Sequence, residues 1–392
     1  MGLFDRFKSN AKKNLTNPAT KSYKDFSFPD KSFRQRVELL WKDFVKEEAS
    51  IRQLIDNKAE SNLISDKLHE ILSEAFESVY FEAGRNGDKY DLILNLEGDW
   101  ARLFTRVYFK KKAPKEVLEH WNIIVGRQSD GQKIDNLEIA MGGNSVSASD
   151  IRLWTEWKDG CVYLSVFCEK MLPLIRENIN AAYSLLYILL DQAVGELAEM
   201  KYVGDIKFLD KPLDSTSLSL KELMENFVSN LSLTKEQLLN EDRYVELYSA
   251  YTMKPNEASK DGTRRDVFSG STGFLPLMNS YYAGKTYITD SLEEDGAFAG
   301  YLFYPIDTFT DEERGKKILD LREAITAELE KSLPDSFMFI GGATGVNFSY
   351  IDFIAWDLKE VLEQVSLTAQ KYNLYWISFC SFRPGSKIYS VK

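Results

Sequence analysis

The sequence predicts an α+β protein: an N-terminal helical hairpin followed by two α+β sandwich halves, with mainly antiparallel sheets and helices on one face. Apolar residues recur at intervals of three and four between positions 33 and 79, which is typical of amphipathic helices. Each half then ends in the order hairpin, helix and strand, over residues 151–209 and 336–382. Because 392 residues exceed what one hydrophobic core usually serves, we expect more than one domain.

Residues 1–30 are predicted to form a basic, flexible leader, with six lysines and arginines against three aspartates. Asparagine and lysine dominate residues 8–17, a composition that is typical of a disordered segment. The alternative is a short basic helix over residues 3–13 that contacts a membrane surface through Leu3, Phe4 and Phe7.

Residues 31–87 are predicted to form the helical hairpin. One amphipathic run begins at Phe33 and a second at Leu63, and a polar break at residues 57–61 separates them. A short break between two such runs places the helices antiparallel to each other. We expect the hairpin to pack on the following domain, with a coiled-coil dimer as the alternative.

The first α+β half is predicted to span residues 88–212. It contains a strand at residues 90–96 and a second strand at residues 103–109, where apolar residues alternate along the chain. Asp159 and Gly160 indicate a hairpin over residues 151–168, because this dipeptide readily adopts the positive φ angles of a tight turn. A long helix over residues 172–200 and a strand at residues 205–209 complete this half.

A connecting segment at residues 213–242, with a helix at 220–231, leads to the second half at residues 243–392. The elements predicted there alternate between strands and helices. They are a strand at 245–253, a polar loop at 254–266, a short helix after Gly273, a strand at 300–304, a helix at 310–332, a hairpin around 341–345, a helix at 358–372 and a strand at 374–382.

The charge balance limits the kinds of partner. There are 49 lysines and arginines against 60 aspartates and glutamates, so the formal charge is −11 and a nucleic-acid backbone is repelled. We therefore predict no nucleic-acid partner. The 24 Phe, 20 Tyr and 7 Trp residues supply core volume, and they also offer the anchors that protein interfaces favour.

The location predicted from the sequence is cytoplasmic. None of the three cysteines lies in a CxxC pair, so neither a disulfide framework nor a zinc knuckle is indicated. The N-terminus lacks the apolar region of a signal peptide. The longest nearly apolar run, residues 181–190, is half of the roughly 20 residues that a membrane span needs, so no transmembrane segment is predicted.

The catalytic side chains of common hydrolases are scarce. His69 and His120 are the two histidines of the sequence, which leaves little material for a serine or cysteine triad. We predict no catalytic residue, no metal and no cofactor, and an enzyme is the less favoured alternative.

Two glycine-rich segments, residues 269–273 and 341–345, are candidates for an anion site because each can present backbone amides to a ligand. Two arginines precede the first segment. Neither segment matches a P-loop or a dinucleotide fingerprint, and a helix cap and a hairpin turn are the structural alternatives. The candidate ligand-binding residues are Arg264, Arg265, Ser269, Ser271, Thr272, Gly341, Gly342 and Thr344.

Carboxylates form a third kind of candidate. A cluster at residues 290–295 could bind a cation or supply an acid and a base, although its spacing is not that of an EF-hand and a solvated helix end is the alternative. Further acids interrupt apolar segments, where burial would raise their pKa and make them functional candidates. These acids are Asp191, Glu196, Glu199, Asp352 and Asp357.

Three stretches resemble a family of uncharacterised bacterial proteins: residues 121–128, residues 190–196, and residues 341–345 taken with 350–357. The similarity extends over residues 90–385. This resemblance implies a bacterial, cytosolic origin and an association with stress or toxin-immunity systems, and it transfers no catalytic residue.

Taken together, these observations predict a non-enzymatic bacterial protein that binds another protein, with immunity to a toxin as one form. The alternative is a phosphate- or nucleotide-binding protein, or a hydrolase, that uses residues 264–273.

Overall fold

The computed structural model describes residues 15–141, 144–310 and 312–392, and the α+β class is confirmed. The strands described there lie in four sheets, of eight, three, two and three strands. The large sheet is built mainly from the second half. The first half holds the three small sheets instead of one continuous sheet.

Residues 15–30 run along the second half. Strand β1 (Lys21–Ser22) pairs in parallel with the last strand of the chain, β16 (Tyr389–Ser390). The Leu15 amide donates to Asp307 at 2.7 Å, and the Trp376 indole donates to the Leu15 carbonyl at 2.8 Å. For residues 15–30 the prediction of a flexible leader is therefore corrected, because these contacts pack the segment in place. The predicted membrane-contact segment, residues 3–13, lies outside the described residues.

The predicted helical hairpin is formed by α1 (Phe33–Asp56) and α2 (Ser61–Leu72), which pack on each other. Helix α1 begins at a capping box, in which Ser32 and Gln35 exchange hydrogen bonds between side chain and backbone. Its apolar stripe is buried in the main core, as predicted. The range 31–87 also includes a strand, which the helical pattern concealed.

That strand is the first element of the first half. Another strand, two helices and a third strand follow it up to residue 125. In chain order, the elements are β2 (Tyr80–Asn86), β3 (Lys89–Asn95), α3 (Trp100–Lys111), α4 (Lys115–His120) and β4 (Trp121–Val125). The predicted strand at residues 103–109 is wrong, because this stretch lies in α3. Nearly every residue from Ala101 to Phe109 is buried, so apolar residues occur on all sides of the helix and imitate the alternation of a strand.

Residues 138–208 hold the predicted hairpin and helix. The elements are β5 (Glu138–Met141), β6 (Asn144–Ser147), β7 (Arg152–Lys158), β8 (Cys161–Phe167), α5 (Leu172–Glu177), α6 (Ile179–Val194), α7 (Glu196–Tyr202) and β9 (Val203–Phe208). The hairpin turn is confirmed, with φ of +52° at Asp159 and +78° at Gly160. The predicted single helix is divided in three, since Asn178 and Gly195 leave helical geometry.

Three short helices connect the halves: α8 (Leu220–Leu231), α9 (Lys235–Leu239) and α10 (Glu241–Glu246). The second half follows. Its elements are β10 (Ser249–Thr252), β11 (Val267–Thr272), α11 (Leu275–Tyr282), α12 (Tyr287–Asp295), β12 (Phe298–Pro305), α13 (Arg314–Ser332), β13 (Phe337–Gly345), β14 (Phe348–Ala355), α14 (Leu358–Lys371), β15 (Ser378–Ser381) and β16.

The eight-stranded sheet has the order β1-β16-β15-β12-β14-β13-β11-β10, and its pairs are antiparallel except for β1 with β16. Alternate residues of a strand point to opposite faces. On β14, Ile351 and Phe353 join a core with α13 and α14, while Tyr350 and Ile354 join the main core with α1 and α3. The sheet is therefore covered on both faces.

None of the helices in the described part of the chain is long and apolar enough to cross a membrane.

Candidate functional site

Arg264 lies in the interior, on the sheet face that meets the main core. Its guanidinium donates to both oxygens of Asp352, the longer bond measuring 3.1 Å, and to the Tyr251 hydroxyl at 2.9 Å. The side chains of Arg264 and Asp352 are fully buried. Three rings surround the guanidinium carbon, 4.9 to 5.3 Å from their centroids: Tyr301, Tyr350 and Phe382. The charge of Arg264 is thus neutralised inside the fold.

Arg265 lies on the surface, with 68% of its side chain exposed. Its closest carboxylate is Asp261, and the distance from Nη1 to Oδ2 is 3.9 Å. Adjacent in sequence, the two arginines therefore occupy opposite environments and do not converge on one ligand.

The two glycine-rich segments do come together, as neighbouring strands. Ser269, Ser271 and Thr272 of β11 pair with Thr344, Gly342 and Gly341 of β13, in that order. β11 lies between β10 and β13, and β13 lies between β11 and β14. Backbone amides in the interior of a sheet are used in the strand ladders, so they are not free to surround an anion.

Close packing explains why glycine occurs in these strands. A Cβ atom at Gly342 would lie 2.8 Å from the Tyr350 carbonyl oxygen and 3.1 Å from Cδ of Arg322. Arg322 crosses this position and donates to the Thr344 hydroxyl at 3.2 Å. The absence of a side chain here makes room for a neighbouring arginine.

Three of the four carboxylates at residues 290–295 are divided between two arginines. Asp290 and Glu293 hold Arg383 at 2.6 and 2.7 Å, whereas Asp295 is buried and holds Arg106 at 2.6 Å. Within the described residues, no group of three or more His, Cys, Asp and Glu side chains is placed to hold a metal ion.

A cleft of about 990 Å³ lies beside this carboxylate group. Residues 23–35 form one side of it. The other sides are formed by the end of α12 with the start of β12, by the first turns of α14, and by residues 381–386. Neither the two glycine-rich segments nor Arg264 and Arg265 line this cleft.

The start of α1 fixes the walls of the cleft relative to one another. The Phe33 amide donates to the Gly296 carbonyl at 3.1 Å, and the Arg34 amide donates to the Trp356 carbonyl at 3.0 Å. The Ser32 hydroxyl donates to Asp357 at 2.9 Å, and Asp357 in turn caps α14. The cleft is therefore held by bonds between segments that are about 300 residues apart in sequence.

The floor of the cleft is apolar. Ala297, Phe298 and Leu358 line it and are otherwise buried. Phe26 and Phe28 line the same cleft, and their rings lie edge to face with centroids 5.2 Å apart. Phe26 also packs on Phe298 at 5.7 Å. These aromatic contacts couple the N-terminal segment to the sheet.

The rim carries both signs of charge. Lys24, Lys359, Asp30 and Glu363 line the cleft and are exposed, and within the described residues none of them forms an ion pair. Arg383 is different, because Asp290 and Glu293 already neutralise it. The cleft thus combines an apolar floor with four rim charges that are not neutralised by any residue that the structure describes.

Sequence reasoning did not locate this cleft. The capping box at Ser32 and Gln35 and the aromatic residues at positions 26 and 28 are visible in the sequence, and they mark a helix start and an apolar segment. Their convergence with Phe298 and Asp357 is tertiary and leaves no local signal. Asp357 was identified from its apolar surroundings, and the structure places it at the cleft as a helix cap.

No family model, no curated protein and no solved structure matches this sequence, so the function is argued from the geometry of the site.

Proposed function

We propose that this is a non-enzymatic binding protein, and that its cleft accepts a segment of another protein. The observation that carries the proposal is the cleft of about 990 Å³, which has an apolar floor and a mixed-charge rim whose four charges form no ion pair with any described residue. The resemblance to bacterial proteins makes immunity to a toxin one concrete form of this function.

The size and lining of the cleft support a peptide segment as the ligand. Small-molecule sites typically measure about 300–1,000 Å³, so a cleft of this volume has room for a few side chains of a bound segment. The floor formed by Phe26, Phe28 and Phe298 fits an aromatic or aliphatic anchor, which is the kind of residue that dominates protein interfaces.

The rim charges support a protein over a phosphate ligand. Lys24 and Lys359 attract carboxylates, while Asp30 and Glu363 attract basic groups and repel phosphates. A peptide segment that carries both acidic and basic residues around an apolar anchor can pair with all four rim charges.

The lining also favours binding over catalysis. Neither histidine nor cysteine is among the described residues that line the cleft. Asp357 accepts bonds from the Ser32 hydroxyl and from the Glu360 amide, which occupies both of its oxygens. A carboxylate held in this way is suited to a structural role.

A peptide selection tests the proposal. We would select peptides from a displayed random library against the whole chain and measure the affinity of the enriched sequence by fluorescence anisotropy. Lys359→Glu reverses one rim charge, and we expect it to weaken binding by about fivefold or more, since an interfacial ion pair becomes a repulsion. The enriched peptides should carry an aromatic or aliphatic anchor flanked by charge.

Lys211→Glu is the matched control, because it makes the same charge change at an exposed residue that lies outside the cleft. Binding of the selected peptide should be unchanged in this variant. Equal affinity for the two variants would place the peptide elsewhere on the protein and contradict the proposal.

A further inference from the structure

A second network, apart from the cleft, surrounds Arg127. This residue follows β4 and lies at the carboxyl ends of the parallel strands β3 and β4. Its Nε donates to Glu82 at 2.9 Å, its Nη2 to Glu97 at 3.2 Å and its Nη1 to Asp191 at 3.3 Å. All three guanidinium nitrogens are therefore used by carboxylates within the protein.

Glu196 completes the inner part of this network. Its carboxylate accepts from the backbone amides of Leu96, Glu97 and Arg127 at 2.5 to 3.0 Å. Gly195, with φ of +85°, separates α6 from α7 and places Glu196 at the start of α7, facing these amides. The carboxylate of Glu196 is thus satisfied by the backbone.

Acceptors in the network outnumber donors. Glu199 is only 8% exposed, and its carboxylate makes no hydrogen bond or ion pair with any described residue, whereas its backbone amide donates to the Gly195 carbonyl at 2.9 Å. Asn95 is 3% exposed, and its Nδ2 faces Glu82 at 3.5 Å while its Oδ1 is buried without a donor. One guanidinium thus balances five carboxylates: Glu82, Glu97, Asp191, Glu196 and Glu199. Among the described atoms of this network, the buried acceptor without a donor is Oδ1 of Asn95. An excess of carboxylates over cationic groups in a largely buried site is costly, so the arrangement calls for an additional cationic donor.

The pKa values of Asp191 and Glu199 are both raised, as expected where carboxylates outnumber cationic groups. Burial, together with the charges of Glu196 and Glu199, raises the pKa of Asp191 to about 8. Burial and Glu196 raise the pKa of Glu199 to about 7. A bound cation would lower both pKa values, because it favours the charged form of each carboxyl group and so opposes the effect of burial.

Tyr187 provides an approach to the network from solvent. The residue is 40% exposed, burial and the charge of Glu199 raise its pKa, and its ring stacks on Tyr183 with centroids 6.4 Å apart. A cation over an exposed tyrosine ring gains cation–π attraction. Glu82 and Glu97 are also partly exposed, at 48% and 38% of their side chains.

We propose that the Arg127 network, with Glu199, Asp191 and Tyr187 as its recognition residues, binds the guanidinium or ammonium group of a basic side chain from a partner protein. An organic cation is favoured over a metal ion, since the described carboxylates do not form a group that could hold one. This inference does not depend on the cleft, because none of the network residues lines it.

Small probes test this site directly. Titration calorimetry at a pH of about 8.5, where both raised carboxyls ionise, would compare acetyl-arginine amide and acetyl-lysine amide with acetyl-citrulline amide, which has a similar shape and no charge. The two cationic probes should bind saturably and the citrulline probe should not. Preference for one cationic probe would tell whether arginine or lysine is the natural side chain.

Glu199→Gln is the decisive variant. It removes one buried charge and keeps the shape of the side chain, so the protein should fold, yet affinity for the cationic probe should fall about tenfold or more. Glu323→Gln is the matched control, because this exposed residue of α13 lies outside both the network and the cleft, and the variant should bind the probe normally. Equal affinity in the two variants, or equal binding of the citrulline probe, would overturn the proposal.

Discussion

Two buried arginine networks, one in each half, differ in their charge balance. Arg264 meets one carboxylate, Asp352, inside a shell of aromatic rings, and both side chains are fully buried. Arg127 meets several carboxylates, its side chain is 17% exposed, and the Glu199 carboxylate of the same network makes no hydrogen bond or ion pair with a described residue.

This difference in charge balance indicates that the Arg264 pair is structural, whereas the Arg127 network is a candidate binding site. The Arg264–Asp352 pair is closed to solvent and neutral, with Nε of Arg264 left buried without a hydrogen-bond partner among the described residues, and it joins β14 to the loop before β11 across the sheet face. A network with more carboxylates than cationic groups raises the free energy of the folded protein, because like charges repel one another in a partly buried site. A cationic ligand that enters from solvent can lower this free energy. Charge balance, more than burial, distinguishes the two networks.

The largest expected effect comes from breaking the closed pair. Asp352→Asn keeps the shape of the side chain but leaves the Arg264 charge buried without a counterion. We expect a loss of about 3–5 kcal/mol in the free energy of unfolding, because breaking a buried pair leaves an uncompensated charge. Urea denaturation followed by near-ultraviolet circular dichroism measures this loss.

Tyr251→Phe serves as a comparison for that variant. It removes one neutral acceptor from Arg264 while the ion pair with Asp352 remains. A loss of about 1 kcal/mol is expected. If Asp352→Asn were no more destabilising than Tyr251→Phe, the view that this pair holds the second half together would be wrong.

The second prediction concerns pH and the open network. Glu199 has a higher pKa in the folded protein than its ordinary value, so the folded state holds the proton more tightly than the unfolded state. The contribution of this group to stability is therefore greatest at low pH and is lost as pH rises from about 4.5 to above 7.

Glu199→Gln should remove this dependence. At pH 8 we expect the variant to be more stable than the wild type by up to roughly 3 kcal/mol, with a difference that disappears near pH 4.5. Asp191, Glu196, Arg127 and Tyr187 remain in both proteins, and because the charge of Glu199 also raises the pKa of Asp191, the measured difference includes the relief of that repulsion. Urea midpoints measured across this pH range check the sign. A variant that is destabilised at pH 8 would mean that Glu199 has a stabilising partner.

The smallest effect is expected at the exposed edge of the open network. Glu82→Gln replaces a carboxylate that is 48% exposed and bonded to Arg127. Solvent screens such a pair, so the change in stability should be within about 1 kcal/mol. Thermal unfolding suffices to measure it. A loss as large as that of Asp352→Asn would show that the two networks are energetically alike.

The fold could be predicted from the sequence where local patterns dominate. The hairpin at Asp159 and Gly160 and the helical hairpin from Phe33 follow from turn chemistry and periodicity, and both are confirmed. The sequence of helix α3 predicts a strand, because a helix that is buried on all sides lacks the three- and four-residue spacing of apolar residues that marks an amphipathic helix. The division of one predicted helix at Gly195 depends on the contact of Glu196 with three distant amides.

The candidate sites depended on burial, which a sequence does not contain. Nothing in the sequence distinguishes Arg264 from Arg265, yet Arg264 is fully buried and Arg265 is exposed. The glycines of β11 and β13 have the composition of an anion loop but serve strand packing. Conversely, Asp191, Glu196 and Glu199 were candidates on condition of burial, and they are buried.

Hydrogen–deuterium exchange with a selected peptide tests the central claim, that the cleft recognises a protein segment, most directly. The account predicts that the peptide slows amide exchange in residues 23–35 and in the first turns of α14, and leaves the exposed edge strand β10 unchanged. Protection confined to regions outside the cleft, with residues 23–35 exchanging as in the free protein, would contradict it.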